Sequence, residues 1–187
     1  MTDIHSHILP GVDDGSDSME ASIEMLRIAS EEGVSRIVAT PHFDRGSGYV
    51  NYASEELEAR FRSLEAGAER ENLRIKLVRG MEIFATDDLP DLLSDGMVWT
   101  LGGTDYFMTE FGFEDDPHRC AQILRRCEQR GFRPIIAHPE RYRFVQRDPQ
   151  IAYEWCRSGY GLQLNKGSLA GRFGEQTRVL AMRLISH

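Results

Sequence analysis

The sequence predicts an α/β fold arranged as a β/α barrel, and the prediction depends on two observations. First, short apolar runs alternate with amphipathic segments along a chain that has no internal repeat, low-complexity stretch or linker. Parallel strands need connections of about a dozen residues or more, so this alternation predicts parallel β/α topology, in a barrel or a doubly wound sheet. Second, residues able to bind a metal stand at the ends of most predicted strands, and a barrel brings those ends to one face.

The predicted elements follow from apolar periodicity. The strands are short apolar runs at 3–7, 34–40, 73–83, 105–111, 133–137 and 161–164. The helices carry apolar residues at helical spacing and cover 18–32, 54–72, 87–94, 117–130, 149–157 and 174–185. Ser18 is suited to be the N-cap of the first helix and Gly33 its C-cap, and Gly131 ends the fourth.

Composition is that of one ordinary globular domain covering residues 1–187, with 41% hydrophobic and 28% charged residues. No apolar run approaches the roughly 20 residues that span a bilayer, and the polar start Met1-Thr2-Asp3 does not resemble a signal peptide. We therefore expect a cytoplasmic protein without membrane insertion. The net charge of −8 disfavours nonspecific binding to nucleic acid or anionic membrane.

Histidines and carboxylates follow the predicted strands closely. These candidate ligands are His5, His7, His42, Glu82, Glu110 and His138. His5 and His7 are two residues apart, so strand periodicity directs both side chains to one side. Asp13 and Asp14, in the turn that follows, add hard oxygen ligands. Imidazole and carboxylate without thiolate suit manganese, iron or zinc better than magnesium.

Each of these residues also has an ordinary interpretation. A single histidine such as His42 is more often a hydrogen-bonded loop residue than a ligand. Glu82 and Glu110 would by default be surface carboxylates. Both follow apolar strands, however, where an unpaired charge facing the barrel interior is unfavourable unless a cation compensates it. The coincidence of several such positions favours a metal site.

Seven motifs in chain order resemble the bacterial manganese-dependent tyrosine phosphatases of the polymerase-and-histidinol-phosphatase (PHP) family. They are Asp3-Ile4-His5-Ser6-His7, Gly11-Val12-Asp13-Asp14-Gly15, Ala39-Thr40-Pro41-His42, Gly80-Met81-Glu82-Ile83, Glu110-Phe111, His138-Pro139-Glu140-Arg141-Tyr142 and Gln163-Leu164-Asn165-Lys166-Gly167-Ser168. The first and sixth are highly specific, whereas the Glu110 match is weak alone. The resemblance covers the whole chain.

The resemblance implies a distorted β/α barrel with two or three divalent ions, manganese above all, in a cytoplasmic enzyme. It implies a phosphotyrosine protein as substrate, namely an autophosphorylated bacterial tyrosine kinase that controls capsule or exopolysaccharide export. The metal ligands that carry over are His5, His7, Asp14, His42, Glu82, Glu110 and His138. The phosphate-binding arginine of the family corresponds to Arg141. The ordinary interpretation of Arg141 is a surface arginine in a turn. Glu140 is by default a solvated carboxylate.

The chain departs from the family pattern in two places. Phe43 stands where members often have a second histidine. Similar proteins also continue into a further strand with an Asp-x-His pair, whereas this chain ends at His187, which we do not expect to be a ligand. We therefore expect the last barrel strand to be missing. The exposed edge would lower stability or favour association with another chain, such as a second copy.

Three other functions remain open at this point. A Cys and an Arg six positions later, as in cysteine-dependent phosphatases, occur as Cys120 with Arg126 and as Cys127 with Arg133. Both pairs begin within a predicted amphipathic helix instead of a phosphate-binding loop, so we expect reduced, uninvolved thiols. A PHP phosphatase of a small phosphate ester is the enzymatic alternative. A catalytically silent metal-binding partner module is the non-enzymatic one.

Overall fold

The computed structural model describes residues 1–186, and the chain divides into two compact units. Unit 1 comprises Met1–Ile83 and Asp91–Phe107, and unit 2 comprises Phe84–Pro90 together with the chain from Met108 onward. Both units combine helices with parallel strands, so the expectation of a mixed α/β fold is confirmed. In the described part of the chain, no helix is long and apolar enough to cross a membrane.

The elements of unit 1 begin with an alternation of strands and helices. In chain order they are β1 (Thr2–Ser6), α1 (Met19–Glu31), β2 (Arg36–Ala39), β3 (His42–Asp44), β4 (Tyr49–Val50), α2 (Glu55–Arg70), β5 (Lys76–Arg79) and β6 (Glu82–Phe84). α3 (Leu89–Ser94), a 3₁₀ turn (Leu101–Gly103) and β7 (Tyr106–Glu110) follow, of which α3 and β7 each have residues in both units. The predicted cap of α1 is confirmed, because the Ser18 hydroxyl accepts a 3.2 Å hydrogen bond from the Ala21 N–H.

Unit 1 contains two groups of paired strands. β1, β2 and β5 form a parallel sheet in which β2 is central. β3 pairs in parallel with β6 and antiparallel with β4, so β3 and β4 form a hairpin. The predicted strand 73–83 is in fact interrupted, because Gly80 and Met81 separate β5 from β6. The predicted strand 34–40 corresponds to β2, and Thr40 with Pro41 separates it from β3, a strand that was not predicted.

Gly80, at the interruption, is closely packed against side chains from other segments. A Cβ at this position would lie 2.7 Å from Val38 Cγ1 and 2.8 Å from Leu101 Cδ2, so only glycine fits between them. The pairing register is the same on both sides of the interruption: Ala39 of β2 stands opposite Arg79 of β5, and His42 of β3 stands directly opposite Glu82 of β6. Two candidate ligands are thereby side by side at the start of their strands.

Unit 2 contains most of the remaining helices. Its elements are α4 (Pro117–Gln129), β8 (Arg133–Ala137), a 3₁₀ turn (Pro139–Arg141), α5 (Arg143–Arg147), α6 (Gln150–Arg157), β9 (Gly161–Gln163), α7 (Lys166–Leu169) and α8 (Glu175–Ile185). β8 pairs in parallel with β9, as Ile135 with Gly161 and Ala137 with Gln163. The core includes the fully buried side chains of Phe111 and Tyr142.

Candidate metal site and phosphate-binding residues

The site in unit 1 begins with His5 and His7, which lie at and just beyond the end of β1. Their Nε2 atoms are 3.2 Å apart, as the spacing of two residues predicted. Both atoms face the same carboxylate oxygen, Oε2 of Glu82, at 3.0 Å from His5 and 3.1 Å from His7. The three side chains therefore converge on one point.

Glu82 is the centre of this cluster. Its side chain is only 1% exposed, and the start of β6 places it opposite His42. His42 Nδ1 lies 3.4 Å from the same oxygen. A buried carboxylate needs compensation by positive charge or hydrogen bonds, and here the compensating groups in the metal-free protein are imidazoles.

Asp13 orients His7 from the ring nitrogen that does not face Glu82. Its Oδ2 accepts a 2.9 Å hydrogen bond from His7 Nδ1 and a 3.0 Å bond from the backbone N–H of His42, while Oδ1 accepts from the Gly15 N–H at 3.0 Å. With both oxygens engaged, Asp13 fixes the ring of His7 so that Nε2 is directed at Glu82. This is the usual second partner of a metal-binding histidine.

The turn that carries Asp13 is held tightly against the end of β1. A Cβ at Gly15 would lie 2.1 Å from the carbonyl oxygen of His7, so this turn requires glycine. The Ser16 N–H donates to that same carbonyl at 3.0 Å. Asp14, next to Asp13, instead extends into solvent with 64% exposure, and its Oδ1 lies 3.5 Å from His42 Nε2.

These contacts change the pKa of two groups in the cluster, His7 and Asp13. Burial lowers the pKa of the His7 imidazole, but hydrogen bonds to Asp13 and Glu82 and their negative charges outweigh it and raise the pKa to about 10. Burial raises the pKa of Asp13, and its hydrogen bonds with His7, His42 and Gly15 outweigh burial and lower it. His7 is thus protonated at neutral pH in the metal-free protein, and a cation would displace that proton.

The residues of unit 1 fit a divalent metal. Ligands about 2.1 Å from an ion are roughly 3.0–3.4 Å from one another, depending on geometry. The Nε2 and Oε2 atoms of His5, His7 and Glu82 are separated by 3.0–3.2 Å. His7, Asp14 and His42 form a second group whose ligand atoms lie within 4.8 Å of one another. Imidazole with carboxylate is a donor set for manganese, iron or zinc.

Glu110 and His138 lie in unit 2, at the ends of β7 and β8. His138 Nε2 is 3.6 Å from Glu110 Oε2. The His138 side chain is 3% exposed, and its backbone has φ 35°, a left-handed conformation that is rare for residues other than glycine. A 2.7 Å hydrogen bond from its N–H to the Gln163 carbonyl connects this conformation to β9. Strained backbone of this kind is concentrated at functional sites.

Arg141 follows in the 3₁₀ turn after β8. Its guanidinium carbon lies 5.0 Å from the centre of the Phe113 ring and 4.5 Å from that of Phe173. We call these three side chains the arginine sandwich. Cation–π contacts with two rings restrict the orientation of the guanidinium, whose N–H groups can still form hydrogen bonds. Phe113 and Phe173 are 45% and 44% exposed, so the sandwich is at the surface of unit 2.

The expectation that Glu140 is solvated is wrong. The side chain has 0% exposure, and its Oε1 accepts hydrogen bonds from the Ser168 hydroxyl at 2.6 Å and the Asn165 N–H at 3.0 Å. Glu140 thereby connects the turn carrying Arg141 to the start of α7. The sequence signal that could have identified it is the motif at 163–168, which supplies both donors.

The thiols behave as expected of uninvolved residues. Cys120 and Cys127 are buried on α4, and burial raises the pKa of each to about 12. Cys120 is in the first turn of α4 with its N–H donating to the Asp116 carbonyl, Cys127 is near the end of the helix, and neither lies in a loop that could bind phosphate. Cys156 is exposed on α6.

The structure therefore brings His5, His7, Asp14, His42 and Glu82 together in unit 1, and Glu110 next to His138 in unit 2. Sequence reasoning treated Asp13 only as a source of ligand oxygens, whereas both of its oxygens accept hydrogen bonds. It overlooked the β3–β4 hairpin, which carries Tyr49 beside His42. The expectation for His187 lies outside the described residues.

Comparison with known proteins identifies relatives over the whole chain. The family described as "Capsular polysaccharide synthesis, CpsB/CapC" matches residues 1–187. Tyrosine-protein phosphatase YwqE of Bacillus subtilis is 35% identical over 99% of this chain and 72% of its own length. The putative tyrosine-protein phosphatase CapC of Staphylococcus aureus is 33% identical over the same shares.

A solved structure has a closely similar fold. It comes from a study of YwqE from Bacillus subtilis and CpsB from Streptococcus pneumoniae, described as metal-dependent tyrosine phosphatases. The TM-score is 0.92 at 33% identity, over 100% of this chain and 74% of the other.

Proposed function

The chain belongs to the CpsB/CapC family of capsular polysaccharide synthesis, and we propose that it is a metal-dependent phosphatase that hydrolyses phosphotyrosine in proteins. The observation that carries the proposal is the convergence of the His5, His7 and His42 imidazoles on the buried carboxylate of Glu82. The relatives named tyrosine-protein phosphatases support the reaction class.

The metal we propose is manganese, held in unit 1 by His5, His7, Asp14, His42 and Glu82. The donor types support manganese without excluding iron or zinc. Glu110 and His138 stay predicted ligands, on the strength of the family resemblance. Divalent ions bound by these residues would supply activated water at neutral pH and charge neutralisation for the phosphate oxygens.

The chain's own residues would bind and orient the substrate. Arg141 would hold phosphate oxygens with its planar fork of N–H donors, and the arginine sandwich would keep that fork in one orientation. Asp13 would hold the proton on His7 Nδ1 and so keep Nε2 available as a ligand. A tyrosine leaving group, with an ordinary pKa near 10, departs more readily than a serine alkoxide.

We propose a bacterial tyrosine kinase that controls capsule or exopolysaccharide synthesis as the protein substrate. The family description, which refers to capsular polysaccharide synthesis, supports this choice. The distorted barrel of the PHP type, the cytoplasmic location and association with a second copy remain predictions.

The test is turnover by the purified chain with and without added manganese. We expect manganese-dependent release of phosphate from a phosphotyrosine peptide and from a phosphorylated bacterial tyrosine kinase, and none after removal of metal by a chelator. Hydrolysis of small phosphate esters without hydrolysis of the peptide would instead support the small-ester phosphatase. Stoichiometric metal with no turnover of any phosphomonoester would support the silent binding module.

A further inference from the structure

The β3–β4 hairpin places an aromatic ring beside the metal-binding cluster. Tyr49 lies on β4, and its ring is stacked on the imidazole of His42 at a centroid distance of 5.6 Å and an interplanar angle of 14°. His42 in turn lies 4.4 Å from the ring of His7. Tyr49 therefore packs directly against a member of the cluster.

The position of Tyr49 is well defined within unit 1. The Asn51 side-chain amide donates 2.9 Å hydrogen bonds to the carbonyls of Val12 and His42, and so connects the hairpin to the turn that carries Asp13. At the other end of the hairpin, Asp44 accepts hydrogen bonds from the Gly46 N–H and the Ser47 hydroxyl. These bonds fix the hairpin with Tyr49 facing His42.

Tyr49 is not needed to complete the hydrophobic core. It is half-buried, whereas Phe43 on the partner strand is 2% exposed and packs in the core. The ring is stacked on His42, and the side chain keeps part of its surface exposed. Aromatic rings attract one another in stacked or edge-to-face arrangements at centroid distances of about 4.5–7 Å.

We infer that Tyr49 is a specificity-determining residue that contacts the aryl ring of phosphotyrosine. The inference rests on the proposed function, in which the neighbouring cluster binds the phosphate through metal. The aryl ring of a phosphotyrosine is attached directly to the phosphate that the cluster holds. An alkyl phosphate such as phosphoserine offers no ring to this surface, so Tyr49 favours aryl over alkyl esters.

The test measures binding separately from turnover. Phenylphosphonate and methylphosphonate, two phosphonates that cannot be hydrolysed as esters, are titrated calorimetrically into the manganese-loaded full chain. We expect Tyr49→Leu to weaken phenylphosphonate binding about 3- to 10-fold, the size of one aromatic contact, and to change the dissociation constant of methylphosphonate less than about twofold. Tyr49→Phe keeps the ring and should keep the phenyl preference.

A matched control is available two residues beyond the hairpin. Tyr52 packs edge-on against Phe43 at 4.9 Å instead of stacking on His42, so Tyr52→Leu disturbs the hairpin without removing the ring beside the cluster. In Tyr52→Leu, the ratio of the dissociation constants of phenylphosphonate and methylphosphonate should be unchanged. An equal loss for both phosphonates in Tyr49→Leu, or loss of the phenyl preference in Tyr49→Phe, would overturn the inference.

Turnover distinguishes this inference from the proposed function. One outcome is that Tyr49→Leu hydrolyses a phosphotyrosine peptide with the same ratio of phosphotyrosine to phosphoserine turnover as the wild type. That outcome overturns the role of Tyr49 and still supports the proposed phosphatase function. If the chain binds phenylphosphonate in a Tyr49-dependent way but hydrolyses no phosphomonoester, the result supports the role of Tyr49 and contradicts the proposed phosphatase function.

Discussion

Asp13 accepts a 2.9 Å hydrogen bond from Nδ1 of His7, and this bond turns the other ring nitrogen of His7 toward Glu82. Asp13 thus acts on the cluster through His7. The arrangement makes Asp13 a positioning residue whose removal should weaken metal binding without removing a ligand.

We predict that Asp13→Asn lowers manganese affinity about 10- to 100-fold, because the amide no longer stabilises the required orientation of His7. Affinity is measured by titration of the metal-free protein. Asp17→Asn is the control, since Asp17 is an exposed aspartate four residues further along. Equal affinities in Asp13→Asn and wild type would contradict the positioning role.

Metal binding should stabilise the folded protein. At a free manganese concentration of 100 times the dissociation constant, the free energy of unfolding should rise by about 2.7 kcal/mol. Calorimetric unfolding with manganese and with chelator measures this shift. Glu82→Gln, which removes the charge at the centre of the cluster, should abolish the shift.

The control for Glu82→Gln is Glu58→Gln. Glu58 forms ion pairs with Arg62 and Arg79 elsewhere in unit 1, and its substitution should leave the manganese-dependent shift intact. A full shift in Glu82→Gln would show that the metal is held elsewhere.

We predict that Arg141→Ala lowers turnover of an aryl phosphate about 100-fold with metal content unchanged, because a charged donor to the phosphate is lost. Arg141→Lys should recover little, since an ammonium group has neither the planar fork nor the flat surface that stacks on aromatic rings such as Phe113 and Phe173. Arg143→Ala, at an exposed arginine paired with Glu114, is the control. Loss of metal in Arg141→Ala would count against the assignment.

The buried thiols should be dispensable. Their pKa of about 12 leaves Cys120 and Cys127 protonated at pH 8, so iodoacetamide should modify only the exposed Cys156 and leave activity intact. Peptide mass spectrometry identifies the modified site. Cys120→Ala with Cys127→Ala should also retain turnover, although each small cavity lowers stability by about 1 kcal/mol. Inactivation of this double variant with its fold intact would revive the cysteine mechanism.

Glu140 should contribute to the stability of unit 2. Glu140→Ala leaves the Ser168 hydroxyl and the Asn165 N–H without their acceptor, and we expect the free energy of unfolding to fall by about 3 kcal/mol in urea titrations. Glu154→Ala, at an exposed position on α6, should change it by less than about 0.5 kcal/mol. Similar values for the two variants would mean that the buried bonds contribute little.

The sequence alone determined the order of the longer helices and of most strands, and the residues able to bind metal. Helical spacing and capping are local properties, so α1 with its Ser18 cap was predictable. The pair His5 and His7 was equally predictable, because a spacing of two residues on a strand has one geometric meaning. The division of the predicted strand 73–83 was not, and the close packing around Gly80 at that point involves residues distant in sequence.

The tertiary structure decided which partner each polar side chain has. Asp13 and Asp14 are neighbours of identical chemistry, yet one accepts hydrogen bonds with both oxygens while the other extends into solvent. Glu140 is buried because donors from α7 and the residue before it surround its Oε1. Such pairings depend on how distant segments pack, because a polar group can be buried only where another segment satisfies it. Sequence periodicity does not indicate which residue that partner is.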